Sequence, residues 1–194
     1  MMISKKVVLV INGKGGTGKD TCIDSLADKF NICNISSIDP VRKIATYFGY
    51  DGKKDAAGRK FLSDLKLAAS AYNNFPTKYI ISDIRLFVEN KMLAENYEPL
   101  EIFCTHIREA EEIDKLKAAM TLEFPDVPVV TVLVRSCKLT KAGEYGNVSD
   151  DKAESYMYDG TFWNNGDLDS VKKEFPEFVI GLLRKKGIEY YGKI

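Results

Sequence analysis

The stretch that most constrains this chain is Gly13-Lys14-Gly15-Gly16-Thr17-Gly18-Lys19-Asp20-Thr21. It lies between the apolar run Val7-Val8-Leu9-Val10-Ile11 and the segment Cys22-Ile23-Asp24-Ser25-Leu26-Ala27. The order predicts strand, glycine loop, helix. Glycines remove Cβ atoms where the backbone turns tightly, so successive N–H groups can point inward, and an anion is the natural guest of such a concavity. A plain glycine turn capping a helix needs none of this order, and here strand, loop, lysine and amphipathic helix follow one another.

Lys19 stands where the pattern G-x-x-x-x-G-K-[ST] places the lysine that reaches the β- and γ-phosphates of a nucleotide. Together with the backbone of Gly13, Lys14, Gly15, Gly16, Thr17, Gly18, Asp20 and Thr21, it is the expected ATP site. The next position departs from the pattern. Asp20 replaces the neutral hydroxyl that usually meets Mg²⁺, and its carboxylate is a hard oxygen ligand suited to the same ion.

At 194 residues the chain is most simply one domain. Lys+Arg and Asp+Glu are both 28, and this balance gives no support to broad binding of nucleic acid or an anionic membrane. Cys22, Cys33, Cys104 and Cys137 are scattered, with His106 the sole histidine, so free thiols in a reducing cytoplasm are expected rather than a metal cluster. No apolar run is long enough to span a bilayer. The expected partner is a small molecule, and the chain is expected to be a monomer or homodimer.

Helical periodicity covers 17–30, 41–48, 53–75, 86–96 and about 109–122. Strands are expected at 7–11, 32–38, 79–83, 100–106 and 129–134. Alternating strands and helices predict a doubly wound α/β fold with a parallel sheet, which places ligands beyond the carboxyl ends of its strands. There fall Gly13 to Lys19, Asp39, Asp83 and Arg85, His106 and Arg108, and Arg135. Residues 136–158 read equally as a lid or as a plain surface loop. Tyr156 to Trp163 is aromatic and extended enough for a small edge strand. A final helix is expected over 167–187, with Pro176 starting a second segment or kinking it.

Phosphoryl transfer is mostly positioning and charge stabilisation, and arginine grips phosphate oxygens bidentately. Arg85, Arg108 and Arg135, each read as directly following a strand, are the candidates for catalysis with Lys19. Arg42 and Arg59 border the same face. Asp83 is the candidate counterpart of the acid that holds Mg²⁺ at a strand end, and helix capping is its simpler role. Asp39 positions an acceptor, serves as a base, or caps the helix beginning at Pro40. A phosphate acceptor needs no base at neutral pH, whereas a hydroxyl needs a carboxylate. Arginines outnumber candidate bases, which favours a phosphate acceptor.

Four stretches carry a family likeness: Gly18-Lys19-Asp20-Thr21; Ser37-Ile38-Asp39-Pro40 with Arg42; Ser82-Asp83-Ile84-Arg85 with Phe87 and Glu89; and Asn165-Gly166-Asp167-Leu168. In these the chain resembles the P-loop deoxynucleoside monophosphate kinases of phages and bacteria. The resemblance implies a five-stranded parallel sheet and Mg²⁺-dependent transfer of the ATP γ-phosphate to a (deoxy)nucleoside monophosphate. The roles expected of the residues are then metal ligation by Asp20 and Asp83, and an acceptor site of Asp39, Arg42, Arg59 and Arg85. The stretch from Arg135 through Tyr158 departs from that family's pattern. Animal-type phosphomevalonate kinase shares G-K-D and S-D-x-R, and dephospho-coenzyme A kinase shares the late Asn-Gly-Asp turn.

A rival of another class comes from Lys14-Gly15-Gly16-Thr17-Gly18-Lys19, which is similar to the deviant Walker motif of partition and septum-site ATPases, nucleotide-dependent switches whose first lysine acts across a dimer. Asp20 in place of the metal-binding threonine and the arginines at expected strand exits stand against it.

Overall fold

A computed structural model describes residues 2–3, 6–53, 55–89, 100–137 and 154–189. Along the chain run β1 (Met2–Ile3), β2 (Lys6–Asn12), α1 (Lys19–Asp24), β3 (Asn31–Ser36), α2 (Asp39–Tyr47), α3 (Ala56–Asn73) and α4 (Phe75–Glu89). There follow β4 (Glu101–His106), α5 (Ala110–Glu123), β5 (Val129–Arg135), β6 (Gly160–Trp163), α6 (Leu168–Lys185) and β7 (Ile188–Glu189). Five strands form one parallel sheet in the order β3-β4-β2-β5-β6, flanked by helices, as the α/β reading predicts. In that sheet Val8 of β2 lies opposite Phe103 on one side and Val129 on the other. A separate parallel pair joins β1 to β7.

The chain divides into two compact units, Met1–Asn34 with Lys91–Ile194, and Ile35–Asn90. In the first, alternation along β2 sends Val7, Leu9 and Ile11 to one face. They share a core with Cys22 and Ile23 of α1 and with Val171, Phe175, Val179 and Leu183 of α6. Phe162 meets Phe175 edge-on at 5.0 Å, which locks β6 to that helix. Burial pushes the Cys22 thiol up to about 12 despite nearby Lys19, and it raises Cys104 as well, so both are inert apolar fillers. All four cysteines are free. The second unit has its own small core of Val41, Ala45 and Leu62, with Ile38, Tyr50 and Leu65 against it.

Four local expectations are corrected or refined. The helix expected over 17–30 stops at Asp24. The Ser25 hydroxyl donates to Cys22 O at 2.6 Å, and Leu26, Ala27 and Lys29 bond three residues back, which tightens the chain into turns. The strand expected at 79–83 is helical, and the fifth strand of the sheet is β6 instead. Pro76 sits in the first turn of α4, where its missing N–H costs little, and Thr77, Ile80 and Ile84 bury at helical spacing. Asn74, at φ 56°, breaks α3 from α4.

Asp83 and Arg85 therefore lie within a helix, and Arg85 does not follow a strand. In α6 the helix passes through Pro176. Proline in a helix interior costs about 3 kcal/mol. Burying Val171, Phe175, Val179 and Leu183 on one stripe is worth about 1.5–3 kcal/mol each, which outweighs that cost. Of the lid expected at 136–158, residues 138–153 lie outside the described residues, as do 90–96 of the helix expected there. Among the described residues no helix is long and apolar enough to cross a membrane.

Candidate functional site

β2 delivers the chain to the loop through Asn12, a buried amide at the end of an apolar strand. Its Oδ1 accepts from Gly13 N at 2.8 Å, while Nδ2 donates to the Tyr158 hydroxyl at 2.7 Å and to Arg108 O at 3.3 Å. One side chain thus ties the exits of β2 and β4 together, as a buried amide must spend all its hydrogen-bonding groups. Burial holds the Tyr158 phenol up at about 12, against the Asn12 amide, so it is neutral at physiological pH.

The loop itself requires glycine. Gly13, Gly16 and Gly18 have φ of 147°, 81° and 83°. A Cβ at Gly13 would stand 2.3 Å from Val134 O, and one at Gly18 would stand 2.3 Å from Asn164 Nδ2. Thr17 is buried and its hydroxyl donates to Lys14 O at 3.0 Å. Asn164, just beyond β6, donates through Nδ2 to Thr17 O at 2.8 Å and through its backbone N–H to Arg135 O at 2.7 Å. The loop is therefore braced from the exits of β5 and β6.

Over this loop Lys19 folds back, with Nζ donating to Gly13 O at 2.6 Å and Lys14 O at 2.8 Å. Lys14 Nζ and Arg135 Nη2 approach the two carboxylate oxygens of Glu154, each at 3.6 Å. The Arg135 guanidinium also lies 5.6 Å from the centre of the half-exposed Trp163 ring. Three cations, Lys14, Lys19 and Arg135, thus gather at the ends of the central strands. Such a group, set on a cradle that a Cβ would fill, fits a polyphosphate.

Asp20 sits in the first turn of α1 with its side chain 89% exposed, and His106 Nε2 lies 3.9 Å from its Oδ1. Among the described residues no group of three His, Cys, Asp or Glu side chains could enclose a metal. Mg²⁺ normally takes one or two carboxylates, phosphate oxygens and water, and the exposed Asp20 carboxylate fits such a share.

Of the expected site residues, Lys14, Lys19, Asp20, His106, Arg108 and Arg135 belong to the first unit. Arg135 closes β5 and half-buried Arg108 follows β4, as expected of strand-exit arginines. Asp39, Arg42, Arg59, Asp83 and Arg85 belong to the second. There Asp39 accepts from Ser36 N at 2.8 Å and holds Arg42 at 2.9 Å, pinning the strand-to-helix turn. Arg85 is exposed on α4. Asp83 Oδ2 is buried with no hydrogen-bond partner among the described residues. Sequence reasoning missed Asn12, Glu154 and Asn164. An amide directly before the first loop glycine was the available signal for Asn12.

No family model matches the chain, and no curated protein matches it. Among solved structures, the tunicamycin resistance protein of Deinococcus radiodurans superimposes with a TM-score of 0.50 at 9% identity, covering 96% of this chain and 98% of that one. The Mycobacterium tuberculosis APS kinase CysC in complex with AMPPNP and APS gives 0.44 at 11% identity, covering 93% and 99%. Shikimate kinase from Aquifex aeolicus gives 0.40 at 13%, covering 93% and 98%. At these identities the likeness is one of architecture alone, a parallel α/β sheet flanked by helices.

Proposed function

We propose that the chain is a phosphotransferase that moves the γ-phosphate of ATP, with Mg²⁺, onto a (deoxy)nucleoside monophosphate. The observation that carries this reading is Lys19, held over a loop of positive-φ glycines with Lys14 and Arg135 beside it. In this reading the Gly13 to Thr21 backbone and Lys19 hold the β- and γ-phosphates, and Arg108 and Arg135 offset charge that grows on the transferred group. Asp39, Arg42, Arg59 and Arg85 are assigned to the acceptor on their chemistry. The bond from the γ-phosphorus to the β–γ bridging oxygen breaks, a bond to an acceptor phosphate oxygen forms, and ADP departs. An acceptor already ionised at neutral pH needs no base. Bound Mg²⁺ would neutralise phosphate charge, and the exposed Asp20 carboxylate would take a share of it.

The test is ADP release from Mg·ATP against a panel of the common dNMPs and NMPs, phosphomevalonate, dephospho-coenzyme A and water alone. Release that depends on one nucleoside monophosphate, abolished in Lys19→Ala, is the expected result. Dependence on another phosphorylated acceptor would replace the substrate class. Release without an acceptor would favour the switch ATPase, and near-normal kcat in Lys19→Ala would refute the site.

A further inference from the structure

Glu154 was not foreseen in any role, yet its carboxylate bridges two cations of the loop's mouth. One oxygen lies 3.6 Å from Lys14 Nζ and the other 3.6 Å from Arg135 Nη2. None of the three side chains is buried: their exposures are 34%, 44% and 35% for Glu154, Lys14 and Arg135. Ion pairs so open to water are weak and screened by salt, so a better anion can take the carboxylate's place. A carboxylate offers one charge and two acceptor oxygens, whereas a nucleoside triphosphate offers several charges and many oxygens.

From this geometry we infer that Glu154 is a built-in competitor for the donor's phosphates, setting the charge an anion must carry to enter the loop. The inference rests on reading the loop as the donor site. A carboxylate tethered to the same chain competes at a fixed effective concentration, so it excludes singly charged anions while yielding to a polyphosphate. Without it, Lys14 and Arg135 would face each other as like charges at the mouth of the loop. Arg135 links the exchange to an optical signal, because it lies against Trp163, the only tryptophan in the chain.

The experiment titrates Mg·ATP into the wild-type chain, Glu154→Gln and the control Glu111→Gln, an exposed acid in the first turn of α5. Affinity comes from calorimetry, with Trp163 emission as a second readout, at low and at high salt. The expected result is a roughly two- to thirtyfold tighter Kd in Glu154→Gln, the range that loss of two exposed ion pairs allows. The gain should shrink at high salt and be absent in Glu111→Gln. Equal affinities in wild type and Glu154→Gln, or the same gain in Glu111→Gln, would overturn the inference and leave the donor site standing. No ATP binding to any of the three proteins would overturn the donor-site reading itself.

Discussion

Replacing Gly18 by alanine probes how the loop is braced, and its cost divides into two parts. At φ 83° the residue is left-handed, which costs an L-residue about 1–2 kcal/mol. The new Cβ would also stand 2.3 Å from Asn164 Nδ2, the far end of a side chain that can rotate away. Rotation gives up the 2.8 Å bond to the carbonyl of buried Thr17, a net loss of about 1 kcal/mol. Gly18→Ala should therefore destabilise the protein by about 2–3 kcal/mol and Asn164→Ala by about 1 kcal/mol. Once Asn164 is gone the clash is gone, so the double variant should cost no more than Gly18→Ala alone. The coupling of about 1 kcal/mol is readable in a double-mutant cycle from urea unfolding followed by far-UV circular dichroism. Additive losses, or a Gly18→Ala cost below about 0.5 kcal/mol, would refute the bracing argument.

Two further outcomes follow from the same geometry. Asp159 accepts from Thr131 N at 2.8 Å and from Thr131 Oγ1 at 3.0 Å, and pairs with Lys186 Nζ at 2.6 Å. Burial works against its ionisation, but the Lys186 and Thr131 hydrogen bonds prevail and hold its carboxyl below the ordinary value. A depressed folded pKa gives stability that is present above the unfolded value of about 3.9 and is lost as pH falls through the folded one. Asp159→Asn should thus cost about 2 kcal/mol near neutrality, with the gap from wild type closing below about pH 4 in denaturant midpoints; a gap that persists undiminished at low pH would contradict this. Lys14→Ala should keep acceptor-dependent transfer but need more ATP to saturate, because Lys14 engages Glu154 of its own chain at the mouth of the donor loop. Joint loss of dimerisation and hydrolysis in light scattering and ADP-release assays would instead mark a switch ATPase.

The parts of the fold legible in the sequence were those where local pattern and tertiary burial agree. Val7 to Ile11 is an apolar run ended by glycines, and only a central strand feeding a tight loop satisfies both. Val129 to Val134 is equally one-sided. Residues 79–83 misled because Tyr79-Ile80-Ile81 is rich in strand formers, and a run so short carries no period of its own. The decisive pattern, Pro76, Thr77, Ile80 and Ile84, extends beyond it on both sides. The site divides similarly. Lys19 and the glycines announce themselves by spacing, Arg135 by closing β5 and Arg108 by following β4. Glu154 and Asn164 were illegible because their partners, Lys14, Arg135 and Thr17, are remote in sequence, and no local period marks a contact made by topology.

Placing β2 at the centre of the sheet has a consequence for the order of events on the ribosome. The glycine loop is synthesised well before the segments that support it, since Val8 pairs with Phe103 and Val129, and Thr17 is braced by Asn164. Such pairings close very long loops of chain, so they form late and slowly. A nascent chain therefore carries its glycine loop unassembled until Asn164 has emerged, with a central strand of bare valine, leucine and isoleucine awaiting partners. Until those pairings close, the growing polypeptide should look to the cell like a client for chaperones.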